Sequence, residues 1–262
     1  MAEQRRPLRA VWRLLRPALR WLTVWLLPRA LLYGVPTVVL LTVLLVLPFR
    51  WMNPPLSAFM LQTLIADLRN GDEAAALVRH RWVDLEAISP HARLAVIAGE
   101  DQLFPHHRGF DTAALRDAVD DALRGQGLRG ASTISQQTAK NLYLWHGRSL
   151  ARKGLEAWFT VHMELFWPKE RILEIYLNIA EWEEGLYGIE AASRRYFGKP
   201  AALLTPEEAA LLAAVLPNPN RFRVDAPSRY VLGRQQWILE QMDALGGPRY
   251  LEQLRTPTVR EN

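Results

Sequence analysis

The sequence predicts a mainly α-helical domain carried behind a single membrane-spanning helix. Three observations predict it. An uncharged run of twenty residues, 30 to 49, lies between Arg29 and Arg50. Helix-start signals recur downstream at Ser89-Pro90, at Thr133 with Gln136, at Ser149, and at Thr205-Pro206 with Glu208. Past the entry to the domain, no long stretch alternates apolar and polar residues as a half-buried strand requires.

The uncharged run is long enough for a bilayer core at about 1.5 Å of rise per residue. Gly34 and Pro36 are tolerable in a membrane helix, and Thr37 and Thr42 can satisfy their hydroxyls on the backbone. Seven arginines precede the run, so the positive-inside rule leaves the N-terminus in the cytoplasm and everything after Arg50 outside. The run exceeds the apolar core of a secretory signal and no small-x-small site follows, which favours an uncleaved anchor. The expected divisions are a basic cytoplasmic tail over 1–29, the anchor over 30–50, a linker and entry segment over 51–85, the globular domain over 86–250 and a C-terminal tail over 251–262. Within the tail, Trp12, Trp21 and Trp25 among arginines suit a membrane interface.

The net charge of +5 and pI of 9.7 have a local origin. Residues 1–50 hold eight arginines and one acid, a balance of +7, so the rest of the chain carries −2. The domain is therefore not basic, and nucleic acid is not an indicated partner. With no cysteine, disulfides, thiolate chemistry and cysteine-held zinc are excluded. At 262 residues, 50% apolar and 23% charged, the chain has room for one large domain and an appendage.

Residues 57–69 read as a short amphipathic helix stopped by Asn70-Gly71, and the segment around Trp82–Leu85 as a short strand or extended entry. Ser89 caps a helix that buries Leu94, Val96, Ile97 and Ala98 and delivers Glu100 and Asp101 at its C-terminal end. Asp111 opens another helix with Leu115, Ala118, Ala122 and Leu123 inward, and Gly125, Gly127 and Gly130 let the chain turn after it. Ser149 opens a long helix that breaks near Pro168, and Lys169–Asn178 continues as a core helix with Glu174 a satisfied structural acid. Gly185 and Gly188 mark a turn, Gly198 ends the next helix, and a nearly all-apolar helix runs from Thr205 to Leu216. The last helix, with Val231, Ile238, Leu239 and Met242 inward, closes at Gly246-Gly247-Pro248.

Three stretches carry chemistry. Carboxylates at a helix C-terminus oppose the macrodipole, so Glu100 and Asp101 are poorly placed for structure alone; a destabilised carboxylate is a better proton acceptor. The plain alternative is a solvated acidic helix end. Gly130–Asn141 gathers hydroxyls, amides and one cation without a competing acid; Gln136, Gln137 and Lys140 fall close to one helix face, suited to a phosphate-bearing, hydroxyl-rich ligand. An ordinary solvated helix start is the plain alternative there. Arg152, Lys153 and Glu156 put two cations and a carboxylate on one face, fit for holding a leaving diphosphate, or else a surface ion-pair cluster.

These residues fall into five ordered motifs across about 150 residues, and together they resemble the family of peptidoglycan glycosyltransferases, which polymerise lipid II. The motifs are Glu100-Asp101 with Phe104, His107 and Gly109; Gly130 to Asn141; Arg152-Lys153 with Glu156; Lys169 to Asn178; and Arg234 with Ile238, Leu239 and Met242. Ala131 and Ser135 stand where many relatives carry Gly and Thr, keeping the size or the hydroxyl. The resemblance is greatest to the monofunctional, membrane-anchored branch, and no Ser-x-x-Lys or Lys-Thr-Gly of a transpeptidase follows.

The resemblance implies a lysozyme-like helical glycosyltransferase domain with a smaller membrane-proximal lobe, expected around residues 110–165, with Tyr143, Trp145, Trp158 and Phe159 as membrane contacts. It implies Glu100 as the general base toward the 4-hydroxyl of the acceptor sugar. Glu156, with Lys153, Lys140 and Arg148, would manage the lipid-linked diphosphate of the growing strand as it leaves. Asp101, Ser132, Gln136 and Gln137 would position substrate. Transfer would be a single inverting displacement releasing undecaprenyl diphosphate. No cofactor is required; Mg2+ or Mn2+ could assist the diphosphate, though no ligand spacing demands it. The implied setting is the bacterial inner membrane with the domain periplasmic, and cell-wall synthesis or division proteins are candidate partners. The alternatives on the same chain are a lytic glycosidase and a membrane-tethered scaffold without turnover.

Overall fold

A computed structural model of the chain describes residues 29–70, 78–112, 116, 132–147 and 149–255. The chain divides into two compact units, 1–46 and 47–262. In the first, a π-turn at Ala30–Gly34 leads into α1 (Val35–Val46). Pro36 lacks the N–H that would bond back to Leu32, which accounts for the widened turn ahead of it. The Thr37 and Thr42 hydroxyls donate to the Tyr33 and Val38 carbonyls at 2.7 and 2.8 Å, as the sequence predicts. Leu40, Leu41, Leu44 and Leu45 face outward. The helix over Leu32–Arg50 is long and apolar enough to cross a membrane.

The second unit is mainly helical. It holds α2 (Ala58–Asn70), β1 (Arg79–His80), α3 (Pro90–Glu100), α4 (Ile134–Tyr143), α5 (Leu150–Phe166) and α6 (Lys169–Ile179). After these come β2 (Glu181–Glu183), β3 (Leu186–Tyr187), α7 (Ile189–Phe197), α8 (Pro206–Val215), α9 (Arg229–Ala244) and a 3-10 helix at Gly247–Leu254. The predicted caps are present. Ser89 accepts from the His91 N–H, Ser149 from the Arg152 N–H, and both Thr133 with Gln136 and Thr205 with Glu208 form complete capping boxes.

Helix α3 is the core. Ala92 and Leu94–Ala98 are buried beneath α8 and α9, each large side chain contributing about 2 kcal/mol. At its last turn α9 comes close: a Cβ added to Gly99 would sit 3.2 Å from Ile238 Cδ1. Helix α4 packs on α5 and α6, so the first four motifs meet around the C-terminal end of α3 and the start of α4.

The structure adds three details to these expectations. Residues 81–84 are neither helix nor strand, with Asp84 extended, which fits the extended-entry alternative; the strand lies just upstream at Arg79–His80, pairing parallel with β3. Around Val83 a side chain replaces the ladder: Asn178 Oδ1 accepts from the Val83 N–H at 2.9 Å and Asn178 Nδ2 donates to its carbonyl at 2.8 Å. The Gly185 turn, with φ +72°, joins two strands, β2 and β3, too short for period-two patterning to reveal. The 3-10 helix after α9 runs through residue 250 as far as Leu254, which is buried. The helix predicted from Asp111, the glycines at 125, 127 and 130, Arg148 and much of the expected 110–165 lobe lie outside the described residues.

Arg171 fastens the segment after the apolar helix onto α6. Its guanidinium donates to the Phe49 and Met52 carbonyls at 2.8 and 2.6 Å and pairs with Glu174 at 2.8 Å. Glu174 is thus the satisfied acid the sequence predicts.

Candidate active site

Glu100 is the last residue of α3, where outward-pointing carbonyls disfavour negative charge. Its Oε2 accepts from Gln137 Nε2 at 2.8 Å, and Gln137 Oε1 accepts from the Tyr176 hydroxyl at 3.2 Å. Although the residue as a whole is half-buried, Oε1 is shielded from water and has no partner. Burial pushes the Glu100 carboxyl above its ordinary pKa; the Gln137 hydrogen bond and the charges of Arg234 and Lys140 pull it back in part. A desolvated carboxylate with a free lone pair is the requirement for a proton acceptor.

Asp101 turns the other way. Its buried carboxylate accepts from His107 Nε2 at 2.9 and 3.0 Å and from the Ile134 N–H at 2.9 Å. The Gly109 N–H donates to His107 Nδ1 at 3.1 Å, so Nε2 carries the proton Asp101 receives. Asp101 thereby ties the first motif to the start of α4. Gly109 is required at this join: φ is +85°, and a Cβ would fall 2.6 Å from Thr160 Cγ2. The side chain of Gln136 is spent locally, its Oε1 accepting from the Thr133 N–H at 3.0 Å. Ser135 donates to Glu164, which also takes Lys169 Nζ at 2.7 Å.

Glu156 anchors the opposite side from α5. The residue is 2% exposed; Oε2 accepts from Arg152 Nη1 at 3.1 Å and Oε1 from Lys153, which reaches Ser132 Oγ at 3.3 Å. Lys140 on α4 links the two sides. Burial lowers its pKa, and the attraction of Glu156 and, more weakly, of Glu100 opposes that shift. Its Nζ lies 5.8 Å from the Phe59 ring centroid. Among the described residues Glu156 is the only carboxylate that pairs with Arg152 and Lys153, and both already share it, so these residues do not by themselves compose a divalent-cation cage.

Of the sequence-predicted site residues, Glu100, Gln137, Lys140, Glu156, Lys153 and Ser132 come together, whereas Asp101 and Gln136 hold the scaffold beneath them. Tyr176 falls within the expected core helix, and nothing in the apolar run around it signals that its hydroxyl stands behind Gln137.

The transglycosylase family model matches residues 70–243. The chain belongs to the transglycosylase family. It is 48% identical over 250 residues to a biosynthetic peptidoglycan transglycosylase of Xanthomonas campestris pv. campestris, covering 95% of this chain and 96% of that one. Similar proteins of the same description occur in Chromohalobacter salexigens, 51% identical over 86% of this chain and 96% of the relative, and in Stutzerimonas stutzeri, 52% identical over 82% and 88%. The transglycosylase is a glycosyltransferase, and its mainly helical domain agrees with the lysozyme-like class expected from the sequence.

Proposed function

We propose that this chain polymerises lipid II into glycan strands. The reducing-end sugar of the growing strand, still linked to undecaprenyl diphosphate, is the donor, and the 4-hydroxyl of an incoming lipid II is the acceptor. Glu100 removes the acceptor proton as its oxygen attacks the anomeric carbon, and the carbon–diphosphate bond breaks on the opposite face with inversion. The negative charge of the departing undecaprenyl diphosphate is balanced by Lys140, Lys153 and Arg152, with Arg148 proposed to share that task. Glu156 holds Arg152 and Lys153 in place, Gln137 orients Glu100, and Ser132 positions Lys153. The observation that carries this reading is Lys140 placed electrostatically between a desolvated carboxylate and a carboxylate braced by cations. A hydrolase of an uncharged glycosidic bond has no use for that group of cations.

The anchor confines the enzyme to the layer that holds both lipid-borne substrates and so raises their effective concentration. The proposed topology puts the N-terminus in the cytoplasm and the catalytic domain in the periplasm. Exposed Leu61, Ile65 and Leu68 recur at helical spacing on α2, and Val161 and Leu165 on α5. These aliphatic side chains, with Trp51, Met52 and Trp145, support contact with the outer leaflet. Tyr143 and Phe159, both half-buried, stack on each other at 4.5 Å. Cell-wall synthesis and division proteins remain candidate partners.

The test is polymerisation of lipid II by the detergent-solubilised full chain, beside incubation with finished glycan strands. Polymer from lipid II, absent in Glu100→Gln, is the expected result. Cleavage of finished strands without polymer formation would replace this reading with the lytic one.

A further inference from the structure

The fifth motif contributes Arg234, a residue without a task in the transfer described above. Its Nη2 donates to the Gly99 carbonyl at 2.8 Å, and the guanidinium lies 5.2 Å from the Trp237 ring centroid. Its Nε is shielded from water and unpaired. Among the described residues no carboxylate pairs with it, and a half-buried cation lacking a counter-ion is unfavourable unless another gain offsets it. Gly99 immediately precedes Glu100, and its carbonyl belongs to the last helical turn, whose acceptors lack partners within the helix. Arg234 therefore caps from α9 the turn that carries Glu100.

The groups facing Glu100 come from several elements. Helix α4 offers Gln137 and Lys140, α6 offers Tyr176 through Gln137, α9 offers Arg234, and Asp101 follows in the chain. Helix α8 brings Ala213 beside Gly99, and the Tyr250 hydroxyl of the final 3-10 helix donates to the Gln102 carbonyl. Two of these groups are cations, and their circumstances differ. Lys140 also faces Glu156, on the diphosphate side, so a bound diphosphate offsets its charge. Arg234 reaches α3 from a different helix and has no recorded contact with Arg152, Lys153 or Glu156 among the described residues.

We propose that Arg234 is a positioning residue for the base: it clamps the final turn of α3 and supplies a positive charge near Glu100 that a bound diphosphate leaves unneutralised. This rests on Glu100 being the base.

The experiment is the pH profile of lipid II polymerisation by full-length variants, with thermal melts alongside. Arg234→Gln moves the acid limb upward by about one pH unit, the effect of removing a nearby opposite charge. Arg234→Lys, which keeps the charge, leaves the limb near that of the wild type. Trp237→Glu tests the charge while the guanidinium stays: the new carboxylate pairs with Arg234 at i, i+3 and moves the limb upward, whereas Trp237→Gln does not. Trp237 is 40% exposed, and the melts of these two variants establish their folding, so that they decide the matter if Arg234→Gln does not fold. An acid limb unmoved by Trp237→Glu, or by a folded Arg234→Gln, overturns the proposal, as does a uniform loss of rate at every pH. The two readings fail separately. Polymerisation by Glu100→Gln would remove the base itself; an inactive Glu100→Gln with an immobile limb in the Arg234 and Trp237 variants would remove only the role of Arg234.

Discussion

The two carboxylates of this site occupy opposite surroundings. Glu100 ends a buried apolar helix, touches one neutral amide and keeps an oxygen unpaired and out of water. Glu156 is buried more completely, yet both its oxygens are held by cations, Arg152 and Lys153. Burial without a counter-ion in direct contact makes a group willing to take a proton; burial between cations makes a strut for those cations. The same residue type is thus given two tasks by its neighbours. Lys140 connects the tasks because it feels both charges.

Substitution of each carboxylate breaks the comparison in a different place. Glu100→Gln carries the largest effect: turnover falls by about a thousandfold or more, within the range for loss of a general base, while binding of a diphosphate-bearing lipid analogue is kept. Its stability changes in the unusual direction. Because the folded carboxyl has a raised pKa, ionisation costs stability above that pKa and costs nothing below the ordinary carboxylate range. The glutamine variant therefore melts at or above the wild type near neutral pH, and the gap closes in acid. Melting curves at several pH values check this.

Glu156→Gln leaves Arg152 and Lys153 without their common partner. The expected loss is about 3 kcal/mol of stability together with most of the activity, read by denaturant unfolding and by the polymerisation assay. A smaller effect follows on the diphosphate side. Lys140→Ala weakens a diphosphate-bearing analogue by about tenfold to a hundredfold, the value of a hydrogen bond to a charged group, with little change for an uncharged analogue. Calorimetry with both ligands separates the two; equal weakening would count against a diphosphate contact. Tyr176→Phe is the mildest, removing one hydrogen bond behind Gln137 at about 1 kcal/mol and shifting the rate severalfold.

Much of this was legible in the sequence wherever the cause is local. The Thr133 and Gln136 capping box, the Ser89-Pro90 start and the burial of Leu94–Ala98 all follow from residues a few positions apart. The apolar run to Arg50 was legible for the same reason. What escaped depends on partners far along the chain. Asn178 bonds both backbone groups of Val83, 95 residues away, and so satisfies the extended entry segment without a strand ladder. Tyr176 meets Gln137 across 39 residues, and Asp101 reaches the Ile134 N–H across 33. The turn of Tyr143 toward Phe159, leaving aliphatic side chains of α5 outermost, is likewise a tertiary result.

The measurement closest to the central claim is the rate of lipid II polymerisation by the wild-type chain as a function of pH, at saturating substrate. A desolvated Glu100 acting as base predicts an acid limb above the ordinary glutamate value of about 4.3. That limb should disappear along with turnover in Glu100→Gln. A profile flat down to the ordinary carboxylate range, or a Glu100→Gln variant that polymerises within tenfold of the wild type, would contradict the account.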